Sequence, residues 1–108
     1  MQKKKIKVGI VGISFGMEFV PIYQRHPNVE SVAVADYNRS LLATCAEKFH
    51  IPAEDCYTNL DDMLQDTSID AIHICTPPAS HAELSIKALN AGRHCGCTIP
   101  MGMSIDEL

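Results

Sequence analysis

The sequence of 108 residues has no tryptophan, few aromatic residues and no long apolar run. No stretch reaches the ~18 apolar residues that a membrane-spanning helix needs, and no signal-peptide segment follows the basic cluster Lys3-Lys4-Lys5. The net charge of −4 gives no basic surface for nucleic acid or for an anionic membrane. We therefore expect neither as a partner, and we interpret the three lysines as a solvated tail.

The cysteines also lack a pattern: there are five, an odd number, without the spacing of a disulfide scaffold. This usage favours a reducing, cytoplasmic setting. The segment His94-Cys95-Gly96-Cys97 could be drawn as a metal cluster. On a strand, however, residues two apart share one face of the sheet, which suits small packed side chains equally well. We expect no metal site.

The length allows one small domain. Strand and helix signals alternate as β-α-β-α-β-α-β-α-β, which predicts an α/β fold with a doubly wound, Rossmann-like parallel sheet of about five strands. A capping box, Ser104-x-x-Glu107, begins another helix just before Leu108, the last residue. We therefore expect a domain, residues 1–108, that is incomplete at its C-terminal end, before a final strand.

The sequence is organised around a glycine-bearing turn that follows the apolar strand of residues 6–11. A pyrophosphate can bind the free N–H groups of a helix N-terminus when the preceding turn is tight and lacks side chains. Gly12 and Gly16 meet part of this need. Ser14 stands where the G-x-G-x-x-G pattern has the glycine that lets phosphate approach the backbone. Pro21 indicates that the next helix, predicted over Met17–His26, begins late or has a distorted first turn.

A second strand, Glu30–Asp36, ends in a carboxylate. Asp36 follows the glycine turn at the interval of about 20 residues at which dinucleotide-binding βαβ units place the acid that binds the adenosine ribose. An aspartate at a strand end is more commonly a turn or cap residue, but the preceding glycine turn favours the ribose. Arg39 leaves a 2′-phosphate, and hence NADP, open beside NAD.

The remaining elements follow from caps and apolar patterns. Helices are predicted from a cap at Asn38 or Ser40, from Leu60 after Asn59, and from the capping box Ser80-x-x-Glu83 to Gly92. Strands are predicted around Cys56-Tyr57-Thr58 and over residues 70–75 and 94–98.

The loop Thr76–His81 follows the fourth strand at its carboxyl end, which is where open α/β sheets bind ligands. It is the second segment that we expect to face a cofactor. His73, between two isoleucines in mid-strand, is interpreted as a packed, hydrogen-bonded residue. For His81 the packed and the ligand-binding interpretations are equally open.

With these motifs in place, the chain resembles the N-terminal dinucleotide-binding domain of the Gfo/Idh/MocA oxidoreductase family from Ile6 to Leu108. The resemblance is carried by the residues 8–16 turn, Phe19-Val20-Pro21-Ile22-Tyr23, His26-Pro27, Ala35-Asp36, Asp70-Ala71-Ile72, Thr76-Pro77-Pro78-x-x-His81, Ala88-Leu89-x-Ala91-Gly92-Arg93-His94, and Pro100 before Ser104.

This resemblance implies NAD or NADP as the cofactor, and hydride transfer between the nicotinamide and a sugar, polyol or related alcohol. It also implies a C-terminal substrate domain, which is not present in this chain. The unfinished sheet edge favours association, so we expect a homo-oligomer. The cofactor-binding residues are then expected to be Gly12, Ile13, Ser14, Phe15, Gly16, Asp36, Tyr37, Arg39, Thr76, Pro77, Pro78, His81 and Thr98.

One departure concerns catalysis. The family motif Glu-Lys-Pro after the fifth strand stands here as Thr98-Ile99-Pro100. In the family the lysine lies near the nicotinamide and the reacting hydroxyl, where a cation can stabilise an alkoxide. Ile99 cannot do this, so the catalytic residues are unknown. The alternative function is a non-catalytic, dinucleotide-binding regulatory or sensor protein.

Overall fold

The computed structural model describes residues 5–97, which form one sheet of five parallel strands. The strands are β1 (Ile6–Val11), β2 (Val29–Ala35), β3 (Cys56–Tyr57), β4 (Ala71–Ile74) and β5 (His94–Cys97). The helices are α1 (Ile13–Gly16), α2 (Val20–Arg25), α3 (Arg39–Phe49), α4 (Leu60–Met63) and α5 (His81–Asn90), with 3₁₀ turns at Met17–Phe19, Ala53–Asp55 and Pro78–Ser80.

The spatial order of the strands is β3-β2-β1-β4-β5. The chain therefore moves outward from β1 to β3 and then returns to the other side of β1 for β4 and β5. The predicted Rossmann-like α/β fold is confirmed. In such a sheet the strand order reverses at β1, and the crevice at the carboxyl ends of the strands on either side of this point is the usual ligand site.

Both faces of the sheet are covered, which explains the apolar strands. On β2, Val32 and Val34 face one core, which also contains residues of α1, α2 and α3. Ala33 and Ala35 face a second core, to which Leu60 and Met63 of α4 and Ala88 of α5 belong. Because successive strand residues point to opposite faces, this alternation fixes which helices cover each side.

The helical segment after β1 starts earlier than the predicted Met17 and consists of three pieces. The first is α1, the second is the 3₁₀ turn Met17–Phe19, and the third is α2, which carries Pro21 in its first turn. Proline lacks the N–H that continues a helix, but the first turn does not need that group. The regular helix is interrupted by the 3₁₀ turn just before Pro21, so the predicted distortion of the first helical turn is confirmed. The predicted start of the helix at Met17 is wrong.

The helix caps differ in outcome. Asn38 caps α3, since its side chain accepts the N–H of Leu41 at 3.1 Å. The predicted capping box at Ser80 is wrong. Because the 3₁₀ turn Pro78–Ser80 precedes α5, Ser80 already has helical φ and ψ, and its hydroxyl lies 2.6 Å from Thr76 Oγ1 instead of capping the helix.

A charged cluster ties the amino-terminal edge of the sheet together. Lys7 Nζ lies 2.6 Å from Asp55 Oδ1 and 2.9 Å from Asp66 Oδ2, and these side chains are largely buried. Burial alone would lower the pKa of Lys7, but hydrogen bonds to both carboxylates outweigh it, and the pKa is raised. Hydrogen bonds from Ser68 and Lys7 hold the pKa of Asp66 well below its usual range.

Arg93 completes this edge just before β5. Its guanidinium donates to the carbonyl oxygens of Leu64, Asp66 and Ile69 at 2.8, 3.0 and 2.9 Å. These contacts join the α4–β4 connection to the start of β5 without using any cofactor-facing residue.

No helix within residues 5–97 is long and apolar enough to cross a membrane. The predictions made for Thr98, Ile99, Pro100 and the Ser104-x-x-Glu107 box lie outside the described residues.

Candidate functional site

A cleft of 360 Å³ lies at the carboxyl edge of the sheet. Residues from the segments that follow β1, β2, β3 and β4 line it, together with side chains of α5. Its volume falls in the range of about 300–1,000 Å³ that is common for small-molecule pockets. Six of the sequence-predicted residues line the cleft: Gly12, Ser14, Asp36, Tyr37, Thr76 and Pro77.

Gly12 allows β1 and the loop after β4 to approach closely. Its φ of 93° lies in a region of backbone conformation that residues other than glycine rarely adopt. A Cβ atom on Gly12 would also lie 2.7 Å from Cys75 C and Thr76 N. Glycine is therefore required at this position by its backbone conformation and by its neighbours.

Gly16 has a different role, because it lets α1 pack onto the strands. A Cβ atom on Gly16 would lie 2.7 Å from Ile10 Cγ2 and 3.2 Å from Cys75 Cβ. Close packing of helix on strand is the role of the third glycine in the dinucleotide fingerprint. Gly16 fills this role one position earlier than G-x-G-x-x-G would place it.

Ser14 and Phe15 belong to the exposed first turn of α1. The first N–H groups of a helix have no acceptor within the helix, so those of Ser14 and Phe15 are open to a bound anion. Ser14 also lines the cleft with its side chain, whereas Phe15 packs edge-on against Phe19, with ring centroids 5.6 Å apart.

Asp36 holds a fixed position at the end of β2. Its Oδ2 accepts the N–H of Ile13 at 2.7 Å, and its Oδ1 accepts the N–H of Asn38 at 2.8 Å. The carboxylate thus makes the turn contacts expected of an aspartate at a strand end and also lines the cleft. The two interpretations weighed for this residue are compatible.

Tyr37 and Arg39, two predicted cofactor-binding residues that follow Asp36 in the chain, differ in their position relative to the cleft. Tyr37 is 83% exposed and lines the cleft, where its ring can cover a planar ligand. Arg39, the first residue of α3, is exposed and is not among the residues that line the cleft.

The loop after β4 contributes Thr76, Pro77 and Ser80 to the cleft. Pro78 is exposed, beside the cleft lining. His81 is 1% exposed, and its Nε2 donates to the carbonyl oxygen of Thr76 at 2.5 Å. Its side chain therefore supports the loop from beneath.

A second wall of the cleft was not predicted from the sequence. This wall is formed by Thr58, Asn59, Leu60, Glu83, Leu84 and Lys87. Lys87 Nζ lies 3.3 Å from Asp61 Oδ2, and this ion pair connects α5 to α4. The rule that ligands bind at the carboxyl ends of strands also applies to β3, and it could have indicated Thr58 and Asn59.

Two further groups near the site are packed. His73 Nδ1 lies 2.9 Å from Tyr23 Oη, the ring of Phe19 lies 4.7 Å away, and burial lowers the pKa of His73. The interpretation of His73 as a packed, hydrogen-bonded residue is confirmed. Burial raises the pKa of the Cys75 thiol to about 11, with a further contribution from Cys97, so Cys75 is a thiol at neutral pH.

The five cysteines all lie within the described residues, and no disulfide joins any of them. Cys95 and Cys97 are partly buried and pack against the second core, as expected for small side chains on one face of a strand. Within residues 5–97, no group of three His, Cys, Asp or Glu side chains is arranged to hold a metal ion.

The strand order, the glycine turn and the carboxylate at the end of β2 define a Rossmann-type, dinucleotide-binding class of domain. Comparison with family models agrees: residues 6–108 match GFO_IDH_MocA, described as an oxidoreductase family with an NAD-binding Rossmann fold. The chain belongs to this Gfo/Idh/MocA family, and the resemblance noted in the sequence is confirmed.

Individual relatives are consistent with this assignment. The chain is 34% identical to the uncharacterized oxidoreductase YrbE of Bacillus subtilis, over 96% of the chain and 30% of the relative. It is 31% identical to inositol 2-dehydrogenase of Salmonella paratyphi B, over 92% and 30%. Scyllo-inositol dehydrogenase of Lactobacillus casei, solved with NAD(H) and scyllo-inositol, matches with a TM-score of 0.84 and 27% identity, over 96% and 31%.

The chain thus spans about 30% of the length of the relatives that it matches.

Proposed function

We propose that this chain is the NAD-binding domain of an oxidoreductase that transfers a hydride between the nicotinamide and a polyol or sugar. The observation that carries the proposal is the cleft that the glycine turn and the fixed Asp36 carboxylate share at the carboxyl edge of the sheet. When bound, the cofactor supplies a nicotinamide ring that accepts or gives a hydride.

The residues present suit such a cofactor. The open N–H groups of Ser14 and Phe15 would hold the pyrophosphate, because the start of a helix favours anions. Asp36 would accept the hydroxyl groups of the adenosine ribose. Tyr37 and Leu84, which both line the cleft, offer an apolar surface for the adenine.

The substrate class rests on the family and its members. Relatives include inositol 2-dehydrogenase and a scyllo-inositol dehydrogenase. We propose that a C-terminal substrate domain lies in additional sequence of a longer, homo-oligomeric protein. Such a protein is expected to reduce NAD in the presence of a cyclic polyol, which is measured as absorbance of the reduced nicotinamide.

NAD is expected to bind at least about tenfold more tightly than NADP, because a 2′-phosphate would approach the fixed carboxylate of Asp36. Arg39 is exposed on α3 and is not among the residues that line the cleft, so we expect it to offset little of this repulsion. Calorimetric titration of the 108-residue chain with each dinucleotide measures the ratio. Equal or tighter binding of NADP would contradict the proposed selectivity, and no binding of either would contradict the proposed function.

Ser14→Ala is expected to weaken NAD binding by about 10- to 100-fold, since a hydroxyl that donates to a charged phosphate contributes about 1.5–3 kcal/mol. The exposed position of Ser14 on the cleft gives the hydroxyl room to donate. The matched control is Ser40→Ala on α3, outside the cleft lining, which should leave affinity unchanged. Tighter binding by Ser14→Ala or Ser14→Gly would mean that the side chain crowds the phosphate.

A further inference from the structure

Asp36 joins two segments of the proposed cofactor site. Its own N–H donates to the carbonyl oxygen of Tyr57 at 3.1 Å, which holds the end of β2 against β3. Its carboxylate reaches forward to the N–H of Asn38 and across to the N–H of Ile13. The aspartate therefore connects the edge of the sheet to the turn that follows β1.

The bond to Ile13 lies at a sensitive position. Ile13 follows Gly12, whose φ of 93° starts the turn, and precedes Ser14 and Phe15. Because the Ile13 N–H points at Asp36, it is not available to a phosphate. The bond instead fixes the peptide plane from which the next two N–H groups follow.

This contact leaves room for a ribose. A carboxylate has about four acceptor positions on its two oxygens. Backbone N–H groups occupy one position on each oxygen, so one on each oxygen is left for a hydroxyl group. Binding of two vicinal hydroxyls is therefore compatible with the bond to Ile13.

We propose that Asp36 is a positioning residue for the pyrophosphate-binding turn, in addition to its contact with the ribose. This inference rests on the proposed function, because it assigns the turn to pyrophosphate. Through the bond to Ile13, Asp36 sets the directions of the Ser14 and Phe15 N–H groups before the cofactor arrives. A site arranged in advance loses less conformational freedom on binding.

The direction in which Asp36→Ala changes the affinity for inorganic pyrophosphate distinguishes this role from a ribose contact alone. Inorganic pyrophosphate has no ribose, and removal of a nearby negative charge should favour its binding. If Asp36 only contacted the ribose, Asp36→Ala would leave pyrophosphate affinity unchanged or increase it. A positioning role predicts the opposite, namely weaker binding.

The test is titration of the 108-residue chain and its variants with inorganic pyrophosphate, followed by the amide resonances of Ser14 and Phe15. Asp36→Ala is expected to weaken binding by about fivefold. Asp36→Asn should weaken it as well, because one of the two accepting oxygens becomes an NH₂ donor, so the N–H of Ile13 or that of Asn38 loses its acceptor. The control, Glu18→Gln, removes an exposed carboxylate from the adjoining 3₁₀ turn and should not weaken binding.

Hydrogen exchange is a second measurement, and it does not depend on pyrophosphate binding. Hydrogen exchange of the Ile13 amide should accelerate by at least about tenfold in Asp36→Ala relative to the Gly16 amide, which donates to Gly12 O. Unchanged Ile13 exchange, or pyrophosphate binding that is as tight as in the wild type or tighter, would overturn the positioning role. If the wild-type chain does not bind NAD, the proposed function is wrong. Hydrogen exchange of the Ile13 amide then still shows whether Asp36 holds this N–H group.

Discussion

Replacing Gly12 with alanine is expected to lower the free energy of unfolding by about 3 kcal/mol, because strain at a left-handed position and overpacking each cost about 1–3 kcal/mol. The new Cβ atom would meet backbone atoms of Cys75 and Thr76 at 2.7 Å, and backbone cannot rotate away as a side chain can. The β1–α1 turn and the loop after β4 would have to separate, so NAD affinity should fall as well. Urea unfolding and calorimetric titration measure the two effects.

Gly92 and Gly96 are matched controls for this prediction. Gly92 has a φ of 80°, but a Cβ atom added to it would meet no other atom within 4 Å, so Gly92→Ala should cost only the backbone strain of about 1 kcal/mol. Gly96 has the same open space without the positive φ, and Gly96→Ala should be close to neutral. A loss at Gly12 no larger than that at Gly92 would show that the close approach to β4 is not rigid.

Lys7→Met is expected to lower the free energy of unfolding by about 2–4 kcal/mol, because it leaves two largely buried carboxylates without their cation. Urea unfolding at neutral pH measures the loss. The matched control is Lys87→Met, which removes a pair whose partner, Asp61, is well exposed; exposed pairs contribute about 0.2–1 kcal/mol.

The same cluster gives a pH dependence with a defined sign. The pKa of Asp66 is lowered from its ordinary value of 3.8, so its contribution to stability is present above that pH and is lost as the pH falls below it. The pKa of Lys7 is raised above 10.5, so its contribution is complete below that pH and is lost in more alkaline solution. The difference between wild type and Lys7→Met should therefore be largest near neutrality and shrink in acid. A difference that stays constant down to acid pH would mean that the carboxylates do not depend on Lys7.

The fold could be predicted because strand and helix signals in this chain are local. Apolar β-branched runs predict β1 and β2, and the cap residue Asn38 predicts the start of α3; tertiary packing agrees with these local preferences. The alternation of elements then leaves few topologies. Local signals failed at Ser80, where the pattern of a capping box is satisfied in sequence but the preceding 3₁₀ turn redirects the hydroxyl.

The site was predictable where a motif or the end of a predicted strand pointed to it. Gly12, Ser14 and Asp36 follow a fingerprint with known spacing. The wall that includes Leu84 and Lys87 depends on how α5 packs beside α4, which no local pattern encodes. Likewise, the distinction between a buried His81 and an exposed Tyr37 is set by the three-dimensional path of the loops.

Amide chemical-shift mapping of the 108-residue chain with NAD tests most directly whether NAD binds at the carboxyl edge of the sheet. We predict saturable shifts at Ser14, Phe15, Tyr37 and Thr76, with Arg93 at the opposite edge unmoved. Shifts centred on Arg93, or none at NAD concentrations that saturate relatives of this family, would contradict binding at the carboxyl edge.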